Sequence, residues 1–86
     1  MNEFKLIEGE FKASDAKEVL SSILDDKITF HYKRIFSHEE RFGTKDNHSV
    51  ERVKALKESK LKILDLLSQA ENEGKTVQLN SSIVIA

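Results

Sequence analysis

Apolar residues recur along this chain with two different periods, and each change of period marks an element boundary. Over residues 3–11 they alternate, with Phe4 and Leu6 on one face and Ile7, Gly9 and Phe11 on the other. A period of two predicts a strand. Gly9 within it marks a bulge or a close backbone contact. Ser14 follows as a helix cap, with Asp15 and Glu18 in the first turn, where the helix dipole favours negative charge.

From Asp15 to about Phe36 the period becomes 3.6, predicting a helix about 33 Å long at 1.5 Å per residue. At 100° per residue, Ala16, Val19, Ile23 and Phe30 form one stripe, and Leu20, Leu24, Ile28, His31 and Ile35 a second beside it. The combined arc is wider than a helix with one neighbour needs. This helix is therefore expected to touch two bodies. Residues 28–36 also alternate and are rich in β-branched and aromatic side chains, which would suit a strand. No Gly or Pro interrupts residues 15–36, so the continuous helix is preferred.

Ser37-His38-Glu39-Glu40 has the capping-box pattern, and Phe42-Gly43 supplies a stop, which predicts a short helical turn at 38–42. A second long helix is expected over 49–73. Val53, Leu56, Ile63, Leu67 and Ala70 follow spacings of three and four, with Lys60 at the remaining seam position and Gly74 as the left-handed terminator. Residues 76–85 alternate again, with Val77, Leu79, Ile83 and Ile85 on one face. The first strand enters the base of the hairpin and the last leaves it, so the two run antiparallel and can pair. The predicted fold is a single α+β domain over residues 1–86, β-α-α-β, with a long antiparallel helical hairpin and a two-stranded antiparallel ribbon. Such a ribbon is marginal alone, so dimerisation into a four-stranded sheet or a four-helix bundle is expected to help.

Charge adds a polarity to this pattern. Residues 27–62 carry ten Lys or Arg against five Asp or Glu, whereas residues 1–26 carry three against seven and residues 63–86 one against three. The formal net charge of −1 thus hides a basic middle between acidic ends. Folded as a hairpin, the chain has a basic tip and an acidic base. A closure near residues 42–43 sets Arg34 opposite Glu51 and Lys27 opposite Glu58, predicting cross-helix ion pairs. After that pairing Lys33, Arg41, Lys45, Arg52, Lys54, Lys57, Lys60 and Lys62 still exceed the acids nearby, and the basic tip residues Arg34, Arg41, Lys45 and Arg52 are the expected contact surface, whose partner is an acidic protein surface or nucleic-acid phosphate. The acidic base of one copy also complements the basic tip of another.

Candidate chemistry does not change this picture. Gly74-Lys75-Thr76 resembles the end of a phosphate-binding loop, but Gln69 stands where the first glycine belongs, and the segment follows a helix rather than a strand. His38-Glu39 begins a zinc-protease motif, but Phe42 replaces its second histidine. His31, His38 and His48 lack paired ligand spacing, and there is no Cys. Asp25 and Asp26 diverge by 100° on a helix, and Ser21-Ser22 and Ser81-Ser82 have no adjacent base. No catalytic residue, metal or cofactor is expected. His31, in the middle of an apolar arc, is expected to be partly buried and hydrogen-bonded across the hairpin. Residues 1–13 interleave charge with apolar positions and contain no leader-like run, and no stretch approaches the roughly 20 apolar residues of a membrane span. The expectation is a cytoplasmic, non-enzymatic interaction module that forms a homodimer.

Overall fold

The computed structural model describes residues 1–86 and has the predicted order: β1 (Asn2–Lys12), α1 (Ala13–Phe42), α2 (Asn47–Asn72) and β2 (Thr76–Ile85). The helices form an antiparallel hairpin, and the strands pair antiparallel as a two-stranded sheet. Residues 28–36 are helical, so the strand alternative is excluded.

Two capping signals are overridden by their surroundings. Lys12 pairs with Thr76 in the ribbon, which holds its backbone extended at φ −63° and ψ 144°. The helix therefore starts at Ala13, and Ser14 lies inside the first turn rather than capping it. Small residues suit this junction: Ala13 and Ala16 are buried where helix and ribbon meet. Ser37 likewise does not cap a separate turn at 38–42. Without Gly or Pro at that point, continuing the helix keeps every backbone hydrogen bond, and α1 runs unbroken to Phe42. Gly43, at φ 70°, ends it by donating its N–H to the Glu39 carbonyl at 2.8 Å.

The second helix begins at Asn47, two residues earlier than expected, because Asp46 caps it. Its carboxylate accepts from the Ser49 N–H at 3.3 Å and from the Ser49 hydroxyl at 3.1 Å. At the other end, Lys75 N–H donates to the Ala70 carbonyl and Gly74 N–H to that of Glu71. This pair of bonds needs a left-handed residue, and Gly74 provides it at φ 68°.

The seam of α2 reads Ser49, Val53, Leu56, Lys60, Ile63, Leu67 and Ala70. Ile28, Val53 and Leu56 are buried at its centre, packed by Leu24 and Ile35. The first stripe of α1 has no such cover: Ala16 is buried at the base, but Val19 and Phe30 are exposed. Within one chain, α1 thus has a full neighbour on one side only.

The ribbon departs from its sequence pattern at one residue. Phe4 pairs with Ile83 and Lys5 with Ser82, then the register shifts so that Ile7 pairs with Ser81, Gly9 with Leu79 and Phe11 with Val77. Leu6 is the extra residue, so the bulge is there and not at Gly9. One inserted residue reverses facing. Phe4 therefore shares a face with Ile7, Gly9 and Phe11, opposite Val77, Leu79, Ser81 and Ile83.

The molecule is a thin, extended body, 50 × 34 × 15 Å between Cα positions. Its radius of gyration is 15.9 Å, against about 12 Å for a compact chain of this length. Only 8 of 86 residues are buried, so each carries a large share of the stability. Leu56→Ala is expected to cost about 2–4 kcal/mol in a urea titration, whereas Leu61→Ala, at a position 71% exposed, should leave the midpoint within error.

Candidate interaction surface at the hairpin tip

The continuous α1 helix decides what the tip looks like. Phe30, Arg34, Ser37 and Arg41 fall on one stripe only if the helix runs through residue 42. It does, and they line one open cleft of about 720 Å³ together with Lys33, His38, Glu40, Phe42 and Asp46. Two rings frame the cations. The Arg34 guanidinium lies 5.7 Å from the Phe30 ring centroid, a cation–π distance. Phe42, 65% exposed, packs against the His38 ring at 4.8 Å. His38 is itself fixed, its Nδ1–H donating to the Thr44 carbonyl at 2.6 Å.

The four expected contact residues do not form one site. Arg34 and Arg41 share this cleft. Lys45 lines a separate shallow groove with Tyr32, Ile35, Val50, Val53, Lys54 and Lys57. Arg52 lines neither, and its charge acts on His31. Spacing alone did not point to Lys33, His38 or the two phenylalanines, because a helix broken at Ser37 places them on different elements.

The cross-helix pairs are also different from those expected. Neither Arg34–Glu51 nor Lys27–Glu58 forms. Glu51 and Glu58 lie two residues either side of seam positions, at the point of the α2 wheel that faces away from α1. Pairs form instead at the edges of the seam: Lys60 to Asp25 at 2.5 Å, and Lys17 to Glu71 at 3.4 Å. Lys57 donates to the Tyr32 hydroxyl at 2.5 Å and lies 5.1 Å from its ring centroid. Exposed pairs of this kind contribute at most about 1 kcal/mol each. Arg34 and Arg41 form no ion pair with any carboxylate.

His31 is half-buried on the seam side of α1, as expected, but the predicted hydrogen bond is absent: its Nδ1 has no partner. Desolvation lowers its pKa from 6.5, and so do the charges of Lys27 and Arg34 on α1 and of Arg52 and His48 on α2. Asp46 is held below the usual carboxylate range mainly by the Ser49 N–H, with help from the Ser49 hydroxyl and the charges of His38 and Arg34.

Nowhere do three His, Asp or Glu side chains converge in a metal-binding group. No helix is long and apolar enough to cross a membrane. Comparison with protein-family models, curated proteins and solved structures yields no match, so function has to be argued from this geometry.

The His31 environment sets a pH dependence. The unfolded chain takes up a proton near 6.5 and the folded chain only at lower pH, so the stabilising preference for neutral His31 is fully present above 6.5 and lost as pH falls below it. Thermal melts from about pH 7.5 to 5 should show a falling midpoint in the native chain and a flatter profile in His31→Leu. Parallel profiles would show that His31 is not the responsible group.

Proposed function

We propose that this chain is a non-enzymatic, cytoplasmic interaction module that associates with itself and presents its hairpin tip to an acidic protein surface. The observation that carries the reading is the amount of surface left uncovered. The chain exposes 6562 Å². A compact monomer of 9.8 kDa exposes about 5,200 Å². The difference, roughly 1,400 Å², exceeds the ~800 Å² that each partner contributes to a standard interface. Much of it is apolar: Phe4, Leu6, Val19, Phe30, Phe36, Leu61, Leu66, Ile83 and Ile85 are all exposed. A chain with so small a core gains most from a second copy.

The tip supports the second half of the reading. Arg34 and Arg41 lack acidic partners, and guanidinium groups bind carboxylates bidentately. Glu40 and Asp46 line the same cleft and lower its net charge, which suits a dispersed acidic protein surface better than the dense charge of a nucleic-acid backbone. A second reading stands on one observation. Exposed Phe30 and Phe42 interleaved with Arg34 and Arg41 resemble the stacking-plus-cation arrangement of single-stranded nucleic-acid binders.

Two probes separate the readings: a fluorescent polyglutamate peptide and a mixed-sequence single-stranded oligonucleotide. The proposal expects the peptide to bind, and the double variant Arg34→Glu/Arg41→Glu to weaken it at least about tenfold, or ~1.4 kcal/mol. Lys45→Glu should have a smaller effect, because Lys45 lies outside the cleft. Preference for the oligonucleotide, with affinity falling steeply as salt rises through counterion release, would favour the second reading.

A further inference from the structure

The two edges of the ribbon are both open, and they are not equivalent. β1 is interrupted by the extra residue Leu6 and carries Glu3, Lys5, Glu8, Glu10 and Lys12. A bulge disturbs the spacing of the free backbone groups along an edge, and like charges brought opposite one another repel. These are the features by which proteins block edge-to-edge pairing. β2 has none of them. From Thr76 to Ile85 it carries no charge and no proline, and the register shift falls on the β1 side. It is the one long, regular, uncharged edge in the molecule.

The apolar face of the ribbon is covered over only half its length. Near the helices, Ile7 is buried and Phe11, Val77 and Leu79 are half-buried. Farther out on the same face, Phe4 is 57% exposed, Ile83 44% and Ile85 56%. One half of each ribbon therefore has cover and the other lacks it.

We infer that two copies pair β2 against β2, antiparallel, about a two-fold axis at Ser81, forming a four-stranded sheet in the order β1-β2-β2-β1. This deepens the self-association reading and rests on it. The register follows from the side chains. With Ser81 on the axis, Leu79 lies opposite Ile83 of the partner subunit, and Val77 opposite Ile85 of the partner subunit. Val77, Leu79, Ile83 and Ile85 of both copies then stay on one face, whereas a slip of one residue sets apolar against polar positions. Antiparallel pairing brings the uncovered half of each ribbon beside the covered half of the other, next to the partner's helices. Parallel pairing would join the two uncovered halves and leave both in water. The two-fold arrangement is closed, so it stops at a dimer. Its demand for area is met by the uncovered surface of roughly 1,400 Å² per chain estimated from the size of the protein, against the ~800 Å² needed.

The chain has no cysteine, so single introduced thiols report on proximity without background. In the proposed sheet, Ser81→Cys faces its own copy at a Cβ separation of about 5 Å, and mild oxidation should convert most of the protein to a disulfide-linked dimer. Glu8→Cys, on β1, lies about three strand spacings or ~14 Å from its copy and should remain unlinked. In sedimentation equilibrium, Ile83→Lys should weaken dimerisation at least about tenfold, while Leu61→Lys, at a more exposed apolar site on the hairpin, should leave it unchanged. Circular dichroism shows whether Ile83→Lys keeps its fold; should it unfold, the pair of cysteine variants decides alone. A native chain that sediments as a monomer overturns the self-association reading and this interface with it. A native dimer in which Ser81→Cys links no better than Glu8→Cys overturns the edge pairing and leaves self-association standing.

Discussion

The seam between the two helices is the constraint on which the other features depend. On α2 it advances by alternating steps of four and three from Ser49 to Ala70, and on α1 the stripe from Leu20 to Ile35 answers it. Ile28, Val53 and Leu56 are buried there together. This spacing winds two helices about each other at a shallow angle and keeps them in contact along their length. Contact along the full length fixes where both ends lie. It carries residues 30–46 away from the strands and gathers their cations at one end. It also sets Lys12 beside Thr76 at the other end, so the chain termini pair as a ribbon. Lys60 occupies a seam position and still reaches Asp25, because a long aliphatic stem can lie along the core with its charge outside.

What the seam does not do is close the protein. It uses one stripe of α1 and leaves the other, and it cannot cover a ribbon that extends beyond the helix ends. A two-layer domain buries each apolar face against another element. Here there are two helices, two strands and more apolar faces than elements to cover them. That shortage, rather than any single exposed residue, is what makes a second copy the natural complement.

The period of the apolar residues was enough to read the element order, the hairpin, the antiparallel ribbon and the seam, because those depend on repetition over many residues. Features that depend on one residue were not readable in the same way. Ser14 and Ser37 carry good capping signals, but a cap contributes only about 1 kcal/mol. Pairing of Lys12 with Thr76 outweighs it in the first case, and uninterrupted helix outweighs it in the second. Leu6 shows the same limit in the ribbon: one inserted residue moved Phe4 to the other face, and alternation alone gives no warning of it. The tip surface was half legible. Arg34 and Arg41 were recognisable as cations of the tip, but their common stripe with Phe30 and Ser37 depended on α1 passing through Ser37. The pairing of Arg34 with Glu51 failed for a different reason: opposite positions along a hairpin do not meet unless both side chains also lie beside the seam.

The separation of the two surfaces has a functional consequence of its own. The cations lie at the far end of a helix that is about 45 Å long at 1.5 Å per residue, and the open strand edge lies at the near end. The proposed pairing through β2 would leave both tips free and direct two equivalent clefts away from the shared sheet. A weak contact made by Arg34 and Arg41 in one copy of such a dimer would become the first of two, and the second would be made at an effective concentration set by the rigid spacing between the tips. A rigid hairpin with few buried residues suits that arrangement, because its shape is fixed by the seam while most of its surface stays available. In this view the small core and the long helices belong together: the chain supplies length and two separate faces, and the second copy supplies the cover that the core lacks.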